Sequence, residues 1–447
     1  MFSKILIANR GEIALRVMRA CRELGIQTVG VYSQGDQNAL HAQLADESVC
    51  IGPAAARDSY LNMHAVLSAT VATGATAIHP GYGFLSENAV FARMCRQCNI
   101  VFIGPEPEAM EGMGDKINAR RTMIAAGVPV VPGSEGILSS SEEALDIARK
   151  VGFPVMIKAS AGGGGRGIRK VNRAEDIEEN YISAQMEAEA AFGDGALYLE
   201  KCVENARHVE VQLLCDAYGN ALHLYERDCS MQRRNQKILE ESPCPALDEG
   251  TRSRIGSDAV LAAKAVGYTN AGTVEFLLDK EGNHYFMEMN ARIQVEHPVT
   301  EMVTGMDLVR WQILIASGER LPYAQSDIHL RGAAIECRIN AEDAEDAFRP
   351  TTGTVGMLHI PGGPGVRFDT LLYPTYSVPP YYDNMLGKMI VHAPTREEAI
   401  ARMRSSLEEL VIDGIVTNAD FQIDLLDAEP FVSGNYDTGT IGRWMEG

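Results

Sequence analysis

No stretch of this 447-residue chain approaches the roughly 18 consecutive apolar residues that a membrane span needs. The N-terminus, MFSKILIANRGE, turns polar within about eight residues, so no secretory signal is legible. Cysteine is sparse, with nine residues scattered over the length and no disulfide framework. Reduced thiols and a cytoplasmic chain are the expectation. One pair, Cys95 and Cys98, has CxxC spacing. No second pair follows, and ARMCRQC reads as helix, so ordinary thiols are expected over a metal or redox site. Basic residues are outnumbered, 40 Lys and Arg against 60 Asp and Glu, for a net charge of -20. That balance excludes a generic nucleic-acid or anionic membrane surface. An anionic ligand must therefore meet a local concentration of positive charge. Internal repeats and low-complexity tails are absent.

What is there is a soluble globular composition, 46% hydrophobic and 22% charged. Residues 4–8 read as a buried strand, followed by a helix with Ile13, Val17, Met18, Cys21 and Leu24 on one stripe. Further strands are expected at 28–33, 75–79 and 99–105. Strands alternating with helices predict a doubly wound parallel α/β domain over 1–115. No GxGxxG follows the first strand, which weakens a dinucleotide reading. The segment 131–203 has its own strand–loop–helix–strand pattern and could move as a small unit. From 204 the chain reads as mostly β, and TREEAIARMRSSLEELV near the end reads as helix.

The stretch KASAGGGGRGIRK, 158–170, places four glycines directly after an apolar strand. Free backbone N–H groups in such a run can form a nest for phosphate oxygens. Lys158, Arg166, Arg169 and Lys170 flank it, and the Walker spacing is absent. A phosphate-covering loop is the favoured reading, and a structural turn or linker the alternative.

The stretch HYFMEMNARIQVE, 284–296, alternates with period two. If it stays extended, Glu288, Asn290, Arg292, Gln294 and Glu296 share one face. A polar strand face that simply meets water is the common reading. The preceding strand, TVEFLLD, changes it. Joined by KEGN, a hairpin pairing Asp279 with His284 sets Leu277 opposite Phe286 and Glu275 opposite Glu288. Like charges directly opposite are destabilising, unless a cation takes both carboxylates with Asn290 nearby. A nucleotide–Mg2+ site would explain the paired glutamates and the glycine run together. The strand is expected to end near His297 and Pro298.

These motifs, together with KILIANRGEIALRV, HPGYGFLSEN, RHVEVQ, MQRRNQK and ECRINAED, resemble the biotin carboxylases of the ATP-grasp superfamily, in order and along nearly the whole chain. The resemblance implies an α/β ATP-grasp fold. It consists of an N-terminal domain (1–115), an ATP-grasp domain (116–330) with a mobile lid (131–203) and a mixed β C-terminal domain (331–447). It implies ATP and Mg2+, with Mn2+ as an alternative ion, and biotin presented on a carrier protein. Implied nucleotide contacts are Lys116, Lys158, Gly163, Gly164, Gly165, Glu200, Lys201, Val203, His208, Gln232, Asn235 and Leu277. Implied metal ligands are Glu275, Glu288 and Asn290. Lys237, Arg292, Gln294, Val295 and Glu296 match the bicarbonate pocket, with Arg338 and Tyr82 around biotin. From the residues alone, Arg338 could equally be a salt-bridge partner and Tyr82 a loop-packing ring.

The implied chemistry is ATP-dependent carboxylation of biotin by bicarbonate through carboxyphosphate. Glu296 would be the base, and Lys237, Arg292 and Arg338 the cations. The expected setting is the first half-reaction of acetyl-CoA carboxylase, in malonyl-CoA and fatty acid synthesis. Without a biotinylation motif, separate carrier and carboxyltransferase chains are expected, as is a homodimer. Two departures stand out. The family pattern RRHQK reads RRNQK here, so Asn235 is expected to alter nucleotide affinity. Ala291 replaces a frequent Thr on the apolar face. Competing readings are an ATP-grasp ligase with another acceptor, a non-catalytic nucleotide sensor, and part of a larger carboxylase serving propionyl-CoA or pyruvate.

Overall fold

The structure is a computed structural model that describes residues 1–160 and 167–446. The first unit is a five-stranded parallel sheet with strand order β3-β2-β1-β4-β5. Its strands are β1 (Lys4–Ile7), β2 (Gln27–Tyr32), β3 (Glu47–Cys50), β4 (Ala77–His79) and β5 (Val101–Phe102). Ile5 and Ile7 face the core that holds the helix Gly11–Glu23, while Leu6 and Ala8 face the opposite one. Both faces are covered, as a parallel sheet requires, and the doubly wound expectation is met. The edge strand β3 escaped the sequence reading because its residues are mostly exposed and carry no apolar run.

Asn9 fixes the loop after β4. Its Nδ2 donates to the carbonyls of Pro80 and Tyr82, both at 2.7 Å. Gly81 sits at φ +63, where a Cβ would lie 2.8 Å from Asn9 Nδ2, so this close approach requires glycine.

The second unit has three antiparallel strands, β6 (Val155–Ala159), β7 (Ile168–Val171) and β8 (Leu197–Lys201), ordered β7-β6-β8. Helices Ser141–Val151 and Ile177–Phe192 share its apolar core. Ser140 caps the first, its side chain accepting from Glu143 N. Gly163, Gly164 and Gly165 lie outside the described residues.

The remaining strands are β9 (Arg207–Cys215), β10 (Ala221–Arg233), β11 (Gln236–Ser242), β12 (Asn270–Leu278), β13 (His284–Asn290), β14 (Ala333–Asn340), β15 (Glu342–Asp343), β16 (Arg349–Pro350), β17 (Leu358–His359), β18 (Val366–Thr370), β19 (Met385–Ala393) and β20 (Val411–Ile412). Eight of them form one sheet, β13-β12-β9-β10-β11-β14-β19-β18. It runs continuously through the second and third expected domains, so residues as far apart in sequence as Leu239 and Cys337 are paired in it. The helix expected near the end is Arg396–Glu409, capped by Thr395, and shorter helices follow it, ending with Thr440–Glu446.

The hairpin register departs from expectation at its loop end. Leu278 pairs with His284 and Leu277 with Tyr285, not Phe286. Asp279 meets Asn283 instead of His284, its N donating to Asn283 O at 2.9 Å, while its Oδ1 closes the loop by accepting from Glu281 N at 3.0 Å and Asn283 N at 2.8 Å. A bulge at Met287 then restores the expected phase, and Glu275 does face Glu288. Phe286 and Met289 both enter the core, which strict alternation forbids. The strand also stops at Asn290, not near His297, because Ala291 N donates to Glu87 Oε1 at 2.9 Å instead of to a neighbouring strand. Residues 291–296 form a loop leading into the helix His297–Thr304.

Arg234 and Asn235 form the two-residue turn between β10 and β11, at φ +50 and +64, with Arg233 paired to Gln236. Both central residues at positive φ is the geometry that matches strand twist, and Asn tolerates it well. Asn235 is exposed at the tip. Replacing it with Gly should leave local stability nearly unchanged. Asn235→Val should cost about 1–2 kcal/mol and speed hydrogen exchange in β10 and β11 by roughly tenfold, read by mass spectrometry.

Candidate active site

Three carboxylates converge on one ammonium. Lys237, on β11, reaches Glu210 Oε2 at 2.6 Å, Glu296 Oε1 at 2.6 Å and Glu275 Oε1 at 3.2 Å. Burial opposes the charge of Lys237, but the three carboxylates outweigh it and hold its pKa well above the usual lysine value. Glu296 is buried too, which would raise its pKa. Lys237, Arg338 and Arg227 reverse that and hold it well below the ordinary range. Its second oxygen accepts from Arg338 at 2.9 Å. The same Arg338 Nη2 lies 2.6 Å from Glu240 Oε1, and Nε donates to that oxygen at 2.7 Å. Arg338 thus bridges two acids and still keeps part of its side chain accessible.

The loop 291–296 supplies the facing wall. Arg292 donates to Gln294 Oε1 at 2.6 Å, to Asn290 Oδ1 at 3.1 Å and to Glu87 Oε2 at 2.9 Å. Gln294 and Asn290 in turn donate to Glu275 Oε1, at 3.0 and 2.9 Å. Glu275 is further held by His208, whose Nε2 lies 3.0 Å from Oε2. Burial acts to raise the Glu275 pKa, and Lys237 and His208 bring it far below the usual value.

Glu288 stands apart. No hydrogen bond or ion pair engages its side chain among the described residues. Burial and then the charge of Glu275 raise its pKa. Two opposed carboxylates, one without a partner, with a side-chain amide beside them, suit a hard divalent cation. Lys116, first residue of the helix Lys116–Ala126, faces Glu288 electrostatically from the other side.

The nucleotide candidates divide. Glu200 joins Lys158 at 2.6 Å and Arg120 at 3.2 Å. His208 pairs through Nδ1 with Gln232 Nε2 at 2.8 Å and sits opposite Leu277 in the sheet. Val203 is half-buried in the segment between β8 and β9. The Lys201 side chain is committed to the carbonyls of Gly152 and Phe153, at 3.0 and 2.7 Å. Asn235 lies at the exposed turn between β10 and β11, two residues before Lys237. Tyr82 donates its hydroxyl to Glu12, and Val295 offers its carbonyl to Lys388 at 2.6 Å.

Several members were not found from sequence. Arg227, fully buried on β10, donates to Glu210 at 2.6 Å, Gln212 at 2.7 Å and Thr300 at 2.9 Å. Glu210, Arg120, Glu87 and Glu240 complete the list. RHVEVQ and GFLSEN contained two of them, but a single charged residue within a strand or loop gives no pattern to detect.

Comparison with known proteins agrees with this geometry. Family models match in sequence order: biotin carboxylase, N-terminal domain, over residues 1–110; carbamoyl-phosphate synthase L chain, ATP binding domain, over 115–324; and biotin carboxylase C-terminal domain over 336–443. Biotin carboxylase 1 of Bacillus subtilis is 57% identical over 439 residues, covering 98% of each chain. The crystal structure of a biotin carboxylase–beta-gamma-ATP complex from Campylobacter jejuni superposes with a TM-score of 0.95 at 50% identity, covering 99% of both chains. The biotin carboxylase domain dimer of Hydrogenobacter thermophilus 2-oxoglutarate carboxylase, in complex with MgADP, ADP and bicarbonate, gives 0.94 at 51% identity, covering 100% of this chain and 98% of that one. Fold and site define an ATP-grasp ligase. This chain belongs to the biotin carboxylase family.

Two outcomes follow from the buried charges. Arg227→Met removes the arginine partner of the buried Glu210 and should cost roughly 3–5 kcal/mol in denaturant unfolding. Glu240 has its pKa pushed up to about 7, by burial first and against Arg338. Its unfolded value is about 4.3. Between these values the native state binds more protons, so this contribution to stability falls as pH rises. Melting temperature measured from pH 4.5 to 7.5 should show that slope, and Glu240→Gln should flatten it.

Proposed function

We propose that this chain carboxylates biotin, using ATP and bicarbonate, through the cluster formed by Glu296, Lys237, Arg338 and Arg292. The observation that carries the reading is Glu296, a buried carboxylate held ionised between Lys237 and Arg338.

Lys237, Arg292 and the amide of Gln294 would seat bicarbonate beside Glu296. Glu296 would accept its proton, and the freed oxygen would attack the γ-phosphorus of ATP, breaking the bond to ADP and giving carboxyphosphate. Phosphoryl transfer gains chiefly from positioning and charge stabilisation, which Lys116, Lys158 and Lys237 would supply. Glu275, Glu288 and Asn290 would hold Mg2+, or Mn2+, which when bound neutralises charge on the nucleotide phosphates. Glu200, Lys201, Val203, His208, Gln232 and Leu277 would border the nucleotide. The lid 131–203, with Gly163, Gly164 and Gly165, would cover it. Carboxyphosphate decomposes to CO2 and phosphate, and phosphate would take the ureido N1 proton of biotin. Arg338 would stabilise the resulting oxyanion as a fixed donor, Tyr82 would border the biotin, and N1 would then add to CO2.

The carrier would be a biotin carboxyl carrier protein, the next station a carboxyltransferase, and the working form a homodimer in the cytoplasm. We place the reaction first in acetyl-CoA carboxylation, for malonyl-CoA and fatty acid synthesis. The likeness to a 2-oxoglutarate carboxylase domain favours a second acceptor class, a 2-oxoacid, because the transferase and not this chain selects the acceptor. No helix among the described residues is long and apolar enough to cross a membrane.

The test is Mg2+-dependent ATP cleavage with labelled bicarbonate, with and without free biotin. Biotin should stimulate turnover and carry acid-labile label. Glu296→Ala should lower both by about 100-fold or more, in the range of a lost general base. ATP cleavage indifferent to biotin, with no transfer of label, would overturn the assignment.

A further inference from the structure

Lys388 is a fully buried lysine that none of the assigned roles uses. It lies on β19, directly opposite Arg338 on β14 and opposite Asp369 on β18. Two cations opposed across neighbouring strands repel, the more so without water. A hydrophobic residue at 388 would avoid that cost, so the position calls for an explanation.

The contacts of its ammonium supply one. Nζ donates to the carbonyl of Val295 at 2.6 Å and lies 3.1 Å from Glu12 Oε1. Val295 immediately precedes Glu296. Glu12 in turn accepts the hydroxyl of Tyr82, and the Lys388 ammonium lies 6.0 Å from the centroid of that ring. One buried charge therefore connects three parts of the chain: the loop carrying Glu296, the first helix, and the loop carrying Tyr82. The surrounding acids match this arrangement. Glu336 is fully buried, and neither of its oxygens has a hydrogen-bond partner among the described residues. Glu12 keeps one unpartnered oxygen as well. Glu12 and, across the sheet, Asp369 face Lys388 with opposite charge, which offsets its repulsion from Arg338, whereas burial pushes the Glu336 pKa well above the usual value.

We propose that Lys388 is a positioning residue that holds Glu296 and Tyr82 at a fixed separation, and so sets the geometry between the bicarbonate and biotin ends of the site. It touches neither substrate. It acts through the Val295 carbonyl and the Glu12 carboxylate. The kinetic part of this proposal rests on the biotin carboxylation reading, whereas the pinning of the loop does not.

The experiment compares the wild-type chain with Lys388→Met, close in length but unable to donate, and with Glu12→Gln, which keeps its shape and loses the charge. Hydrogen exchange of the segment 291–298 reads the pinning independently of any acceptor. Both variants should speed it about tenfold or more, with β1 and β2 unchanged. In steady state, both should lower kcat about tenfold or more and raise the biotin KM severalfold, while the ATP KM stays within about twofold. Exchange at 291–298 equal to wild type would overturn the proposal, and so would biotin and ATP KM values rising together. If Lys388→Met does not fold, Glu12→Gln decides by the same readouts. If wild-type turnover ignores biotin, the reaction assignment fails, and the exchange data still decide whether Lys388 pins the loop.

Discussion

The architecture of the site depends on one constraint, the need to keep ions balanced where water is scarce. Glu210, Glu275 and Glu296 are buried together, and isolated carboxylates there would protonate or push the strands apart. Lys237 meets all three, Arg227 takes the far side of Glu210, and Arg338 takes the second oxygen of Glu296. Lys237 and Arg338 are each shared between acids, and each anion has more than one partner. Removing one member therefore shifts several others, and single substitutions here will not act additively.

That balance is assembled from distant parts of the chain. Glu87 comes from the first unit and holds Arg292. Arg338 and Lys388 come from the last strands of the long sheet. Lys237 comes from its centre. The sheet makes this possible because β11 and β14 are neighbours although nearly a hundred residues separate them. The first unit contributes little to the reacting groups themselves, but its loop after β4 and its first helix set where Tyr82 and Glu12 stand.

Much of this was legible beforehand, for reasons that differ by residue. The parallel sheet showed in the alternation of apolar runs with helical stripes. The carboxylate pair showed because Glu275 and Glu288 follow from strand period and an approximate hairpin loop. The register error was local. Asp279 caps its own loop, and a bulge at Met287 absorbs the mismatch, a detail that period-two reasoning cannot contain. Asn235 has a backbone role that its motif did not show, a turn position at φ +64. The end of β13 was misplaced because the group that ends it, Glu87, is remote in sequence. Arg227, Arg120 and Lys388 were invisible for the same reason. A lone basic residue in a strand or helix looks exposed until its partners from other elements are known.

Lys158 does not wait with a free charge. It is joined to Glu200 at 2.6 Å, and Glu200 is held in turn by Arg120. An anion that took Lys158 would compete with a carboxylate rooted in a neighbouring strand. Its arrival is then an exchange of partners, not the filling of an empty seat, and much of the Coulomb gain is returned as the old pair breaks. Raising ionic strength screens the pair being lost as well as the pair being made. Anion affinity at Lys158 would accordingly be buffered against salt, and a ligand there would be selected by how well it competes with Glu200 rather than by how much charge it brings.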